Sequence, residues 1–286
     1  MKKFIIKTLL SITLFIFTLS IYYTTYDYYL NKKDYSEKSI YIWGDSQVYQ
    51  GLNLNIISTN TDLKTYSGAI HGAGVYDFLV FANKVPENSK IILSISKPAQ
   101  IRDVDIDYNL SGLSIKSLIW LFQNGYNLRS IKNIIQNNIK PKKIYLKNTK
   151  LYSNNNIIYH MPVSLLKKAY FKCPLYLRNK QNIYIKGINL LISKKCKIIY
   201  IELPYHQITK KIEDKSPIKK HTQKFKIELA KKYKIKPFDT LIISNKQNAM
   251  YDLTHLNQYG ANIVSKKVSN LINLNKWNSF LIVELD

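Results

Sequence analysis

The chain has 286 residues, 46% hydrophobic and 21% charged, which excludes an intrinsically disordered polymer. Nine glycines and eight prolines exclude collagen-like and low-complexity classes. Two cysteines, Cys173 and Cys196, exclude a disulfide scaffold and a four-cysteine zinc site, and the net charge of +25 raises anionic partners.

The charge does not by itself point to nucleic acid. Lysine, asparagine, isoleucine and tyrosine are abundant throughout, and the lysines are spread without a long block. Such a distribution reads as a solvated basic surface. No nucleic-acid-binding motif accompanies it.

Residues 1–30 predict an N-terminal membrane anchor. Lys2, Lys3 and Lys7 precede an uncharged run from Thr8 to Thr25. With Phe4 to Ile6 before it, the run is long enough to cross a ~30 Å hydrocarbon layer as one helix. Tyr22, Tyr23, Tyr26 and Tyr28 follow, at the level of a headgroup belt. The exit SIYYTTYDYY is too bulky for signal-peptide cleavage, so the helix over Phe4 to Tyr23 is expected to stay attached. The lysine bias before the run predicts a single pass through the plasma (inner) membrane with the main domain outside the cytoplasm.

From Ser39 the pattern alternates between strand and helix, which predicts a parallel sheet covered on both faces. SIYIW (Ser39–Trp43) is a strand, and Asp45 to Ser58 is a helix. Leu63 to Ser67 is a second strand, followed by a glycine-rich turn from Gly68 to Gly74 and a helix from Val75 to Lys84. KIILSIS (Lys90–Ser96) and KIIYIELP (Lys197–Pro204) are apolar without alternation, as buried parallel strands require. His221 to Lys234 predicts an amphipathic helix, Lys236 to Ile243 a last strand, and Leu256 to Leu274 a closing helix. The stretch at about 107–180 breaks the rhythm. SLIWLFQNGYNLRSIKNIIQ predicts two short helices, and KKIYLKNTKLYSNNNIIYHM two strands around a Ser-Asn-Asn-Asn turn, as an insertion into a domain spanning 31–286.

Two motifs carry chemistry. In IYIWGDSQV, Ser46 follows a strand and a glycine, where its hydroxyl is exposed and its N–H opens a helix. Both features suit a nucleophile whose backbone helps hold an oxyanion; an ordinary helix N-cap is the alternative. In YDLTHLNQYGA, far downstream, Asp252 and His255 are three residues apart. One turn before the helix brings both to one side, with Asp252 accepting from His255 and the other ring nitrogen left to take a serine proton. The alternative is a helix start capped by Asp252 or Thr254. Following the first and the last predicted strands, the two motifs are placed to meet at one crevice. No G-x-S-x-G elbow is present, so an α/β-hydrolase layout has no support.

With Gly44-Asp45-Ser46 near the start and Asp252-Leu-Thr-His255-Leu-Asn near the end, the chain resembles the SGNH (GDSL-like) hydrolase superfamily. SGAIHGAGVYDF resembles that family's second block, with Gly72 at the glycine that lends an N–H to the oxyanion hole. The resemblance runs from Ser39 to Leu274 and leaves the middle insertion unmatched. It implies a three-layer α/β/α fold of the flavodoxin-like kind. It also implies a serine nucleophile, a histidine base helped by an aspartate, and no cofactor. Many relatives are esterases, and some membrane-anchored ones move acyl groups on cell-surface polymers. The family's Gly-x-Asn-Asp block is absent, since the third strand ends SISKPAQIRD with Lys97 near the expected asparagine. Relatives that modify surface polymers often lack this block as well.

The expected catalytic residues are therefore Ser46, Asp252 and His255, with Ser46, Gly72 and Lys97 around the oxyanion. His206, in ELPYHQ after a strand, is expected to contact substrate, and His71 lies beside Gly72. His160 and His221 have no partners at a ligand spacing, so no metal site is expected. Trp43 and the tyrosines of the insertion either stack on sugar rings or fill the core. The expected partners are an acylated glycan or other surface polymer and a multi-span membrane acyl-donor protein. The competing expectation is a catalytically inactive module of the same fold that binds glycan or a membrane partner.

Overall fold

A computed structural model describes residues 39–69, 73–94, 163–171, 175–235, 239–244 and 248–286, with isolated positions between 8 and 18 and at 123. The chain divides into two compact units. The larger, Ser36–Ile106 with Tyr145–Asp286, holds all of these ranges.

Its centre is a six-stranded sheet in which every pairing is parallel. The strands are β1 (Ser39–Trp43), β2 (Lys64–Ser67), β3 (Lys90–Ser94), β4 (Lys197–Glu202), β5 (Asp239–Ile243) and β6 (Ser279–Leu285), in the order β2-β1-β3-β4-β6-β5. The chain leaves β1 to one side for β2 and returns to the other for β3. This reversal creates a crevice beyond the carboxyl ends of β1 and β3.

The period of two along each strand feeds two separate cores. Ile40, Ile42, Ile92, Ile199 and Leu281 point to one face, where α1 (Ser46–Gly51), α2 (Leu54–Thr61) and α8 (Gln258–Asn273) cover them with Val48, Ile57 and Val264. Tyr41, Trp43, Leu93, Tyr200 and Phe280 point to the other. There α3 (Val75–Lys84), α5 (Leu175–Ser193) and α7 (Ile218–Lys232) cover them with Phe78, Tyr184 and Phe225. The result is three layers, helix on sheet on helix. Two short helices, α4 (Val163–Phe171) and α6 (Gln207–Asp214), pack on each other through Leu166, Tyr170 and Ile212, with Leu253 between them.

Several expectations are corrected. The helix expected over Asp45 to Ser58 is two helices, because Asn53 caps a new one by accepting from the N–H groups of Asn55 (3.1 Å) and Ile56 (3.4 Å). The strand at Asp239–Ile243 is not the last. SFLIVEL forms β6, which lies between β4 and β5 and leaves β5 at the edge. Helices α4, α5 and α6 were not anticipated. The sequence reading ended the insertion at about residue 180, inside α5. Helix α5 closes on α3 because Gly187 has no side chain; a Cβ there would meet the Phe78 ring at 2.5 Å.

Trp43 is 1% exposed, so it does not stack on a ligand. Its ring sits 4.7 Å from Phe78 and 5.9 Å from Tyr184, centroid to centroid. Trp43→Ala is expected to cost about 3–5 kcal/mol of stability, the range for deleting a buried aromatic, measurable by urea titration.

Residues 95–122 and 124–162, which include most of the insertion expected at about 107–180, lie outside the described residues, as do most of residues 1–38 with the expected membrane helix. Among the described residues no helix is long and apolar enough to cross a membrane. Cys196 carries a free thiol, and Cys173 lies outside the described residues.

Candidate active site

The first half of the site is the turn from β1 into α1. Gly44 is required there by close approach: a Cβ would overlap the Val48 side chain and lie 2.9 Å from Ser94 Cβ at the end of β3. Asp45, 3% exposed, is the N-cap of α1, and its carboxylate accepts from the Gln47 N–H at 3.0 Å. With Asp45 capping the helix, the hydroxyl of half-buried Ser46 is available to another partner. Its N–H lies in the helix's first turn, where backbone donors have no intrahelical acceptor.

The second half is the connection from β5 to α8. Met250 and Leu256 form an isolated bridge, and the Tyr251 N–H donates to His255 O at 2.8 Å, closing a tight loop. Inside it, Asp252 Oδ1 accepts the N–H groups of Thr254 (2.7 Å) and His255 (2.8 Å). Helix α8 is capped by Asn257, whose side chain accepts from Gly260 N at 3.0 Å. Neither Asp252 nor Thr254 is therefore spent on that helix. A Cβ on Gly260 would meet Ala249 O at 2.5 Å, so the glycine lets α8 press against the loop's base.

The two halves meet. His255 Nε2 lies 2.9 Å from Ser46 Oγ, and His255 Nδ1 lies 2.7 Å from Asp252 Oδ2. Burial raises the Asp252 carboxyl. The His255 hydrogen bond and charge, with the two backbone N–H groups, outweigh it and hold the group below the ordinary carboxylate value. An ionised Asp252 only accepts, so His255 Nδ1 carries the proton. The Nε2 lone pair then faces Ser46, and the serine hydroxyl donates to it. The imidazole and carboxylate side chains retain only 18% and 10% of their exposure, so the line is shielded without being closed to a substrate.

The remaining expected residues fare differently. Gly72, His71, Lys97 and His160 lie outside the described residues. His221 is exposed on α7. His206 is half-buried, and its imidazole Nδ1 caps α6 by accepting from Ile208 N at 3.3 Å. Its own N–H donates to Leu253 O at 3.2 Å, and the Thr209 hydroxyl donates to the same oxygen at 2.8 Å. The His206 segment thus braces the loop of Asp252 and His255 from one side. From the other, Gln47 Nε2 donates to Thr254 O at 2.8 Å. Sequence reasoning missed Gln47, Thr209 and Thr254. Gln47 carried one visible signal, a polar residue directly after Ser46 on a helix that packs into the core.

Burial pushes the His206 imidazole below its ordinary value, in keeping with a cap that needs an unprotonated Nδ1. The unfolded chain therefore takes up this proton first, and stability falls as pH drops below about 6.5. The depressed Asp252 adds a second decline below about pH 3.9. Thermal melting followed from pH 7 to pH 3 is expected to show both. His206→Asn, which keeps a capping acceptor, should remove only the first.

A cleft of about 330 Å³ opens at the carboxyl ends of β4 and β6, between α6 and α7. Two ion pairs line it, Lys226 with Glu202 at 2.6 Å and Lys219 with Asp214 at 2.7 Å. Ser46, Asp252 and His255 do not line it. Among the described residues no group of three or more His, Cys, Asp or Glu is placed to hold a metal ion.

No family model and no curated protein matches the chain. Among solved structures it is similar to a protein of Bacteroides fragilis NCTC 9343 described as a "putative acylhydrolase", at 12% identity and a TM-score of 0.42, over 88% of this chain and 95% of that one.

Proposed function

We propose that the chain is a serine esterase or O-acyltransferase of the SGNH type, held at the plasma membrane by its N-terminal segment and acting on an acylated cell-surface glycan outside the cytoplasm. The observation that carries the reading is the hydrogen-bonded line Ser46–His255–Asp252 at the carboxyl end of β1, where the strand order reverses.

In this reading Ser46 Oγ attacks the acyl carbonyl while its proton passes to His255 Nε2. The carbonyl π electrons move to oxygen, giving a tetrahedral oxyanion. The Ser46 N–H, with Gly72 and Lys97, holds that charge. As the oxyanion collapses, the bond from the acyl carbon to the leaving group breaks, a sugar oxygen in hydrolysis and the acyl donor's own atom in transfer, and His255 returns the proton to that atom. Water or a sugar hydroxyl then attacks the acyl-serine, giving its proton to His255; the bond from the acyl carbon to Ser46 Oγ breaks, and His255 returns the proton to that oxygen, completing hydrolysis or transfer. His206, at the rim of the catalytic loop, contacts the substrate. A multi-span membrane protein supplies the acyl group where the reaction is transfer.

Membrane attachment rests on the uncharged run from Thr8 to Thr25 and on its exposed side chains. Leu10, Leu14 and Phe17 leave 65%, 66% and 63% of their surface uncovered. Mass spectrometry of membrane-extracted protein should find the N-terminal segment intact. Fluorophosphonate labelling is the direct test of the chemistry. Wild type is expected to label and Ser46→Ala to remain unlabelled. Equal labelling of both ends the serine mechanism and leaves the non-catalytic binding module.

A further inference from the structure

The Thr254 hydroxyl has no role in the two-bond line from aspartate to histidine to serine, yet it sits inside it. Thr254 Oγ1 lies 3.1 Å from Asp252 Oδ1 and 3.1 Å from His255 Nδ1. A hydroxyl has one proton and two lone pairs. Asp252 Oδ1 only accepts, so the Thr254 proton goes there. The lone pairs are then left for the Nδ1–H, which already donates to Asp252 Oδ2. The result is a closed triangle, with one Nδ1–H shared between carboxylate and hydroxyl and the hydroxyl tied back to the carboxylate.

We propose that Thr254 is a positioning residue of the acid–base pair, its hydroxyl serving as second acceptor for His255 Nδ1–H while donating to Asp252 Oδ1. This rests on the reading of Ser46 and His255 as nucleophile and base. A single acceptor leaves an imidazole free to tilt about that one bond. Two acceptors on different residues hold the ring plane and keep Nε2 aimed at Ser46. Once His255 takes the serine proton, the ring is a cation, and both acceptors bind it more strongly than they bind the neutral ring.

The backbone of Thr254 is held with equal care. Its N–H donates to Asp252 Oδ1 at 2.7 Å, and its carbonyl accepts from Gln47 Nε2 at 2.8 Å. Gln47 directly follows the nucleophile and is 3% exposed. The residue that steadies the base is therefore tied to the helix that carries the serine. A β-branched side chain also has few χ1 choices, which keeps the hydroxyl in place.

The experiment uses the full chain in detergent and an aryl acetate ester, with Thr254→Val and Thr254→Ser. Valine keeps the shape and removes the hydroxyl; serine keeps the hydroxyl and removes the methyl. The expected result is a fall of about ten- to a hundredfold in kcat for Thr254→Val, the range for losing hydrogen bonds to charged groups, with KM little changed. Thr254→Ser should recover most of it. In an Asp252→Asn background, Thr254→Val should cost much less, because the triangle is already broken. Wild-type kcat in Thr254→Val, or an equal loss in Thr254→Ser with unchanged melting temperatures, overturns the positioning role while leaving the serine mechanism intact. Turnover by Ser46→Ala overturns both.

Discussion

Ser46→Ala and His255→Ala are each expected to lower ester turnover by about 10⁶-fold, and the double variant by scarcely more. The geometry explains the non-additivity. In the proposed mechanism every proton that Ser46 exchanges passes across the 2.9 Å contact between Ser46 Oγ and His255 Nε2, so removing either end removes the same steps. What survives is substrate binding and the oxyanion donors, which neither substitution touches. The folded state should hardly notice. Ser46 is half-buried with its helix capped by Asp45, and the backbone bond from Tyr251 N–H to His255 O that closes the loop does not depend on the ring, although His255→Ala gives up the ring's bond to Asp252. Burst kinetics with an aryl ester separate the cases. Wild type should release one equivalent of phenol quickly, and neither single variant should. If the two losses multiply in the double variant, serine and histidine do not act as one unit.

The sequence carried the two ends of this site and little of what joins them. Ser46 was legible because GDS follows an unbroken apolar strand, and His255 because Asp252 stands one turn before it. Burial patterns made β1, β3 and β4 legible, since a strand covered on both faces must be apolar at every position. The split of the first helix is also written locally, in Gly51-Leu-Asn53. Other features depend on distant partners. That β6 lies between β4 and β5 is a choice among neighbours of similar apolar character, which SFLIVEL alone does not encode. Helix α5 begins in LYLRNKQN, a polar stretch, and its burial becomes evident only where Tyr184, Ile188 and Leu191 meet the second core. The bond from Gln47 to Thr254 spans 207 positions, and no local periodicity foretells it. The same holds for the bracing of Leu253 O by His206 and Thr209, which sets a helix cap beside the loop of Asp252 and His255.

Asp252→Asn is expected to cost about 10⁴-fold in kcat, less than loss of the serine or the histidine, and the hydrogen bonds around the carboxylate say why. Oδ1 receives three donors, the N–H groups of Thr254 and His255 and the Thr254 hydroxyl. An asparagine must keep its carbonyl oxygen on that side, because an NH₂ there would face three donors. Its nitrogen is then forced into the Oδ2 position, 2.7 Å from His255 Nδ1. An NH₂ group only donates, so Nδ1 must give up its proton and accept. The neutral imidazole then carries its proton on Nε2, which donates to Ser46 Oγ and has no lone pair left to take the serine proton. The fold around the loop should persist, since every Oδ1 bond is retained. Removal of the carboxylate should also abolish the acid-limb loss of stability that Asp252 contributes below about pH 3.9. Nitrogen-15 spectra of the His255 ring should show the proton on Nδ1 in wild type and on Nε2 in the variant. A ring that keeps its proton on Nδ1 in Asp252→Asn would mean that Oδ2 does not set the tautomer, and the carboxylate would then act by charge alone.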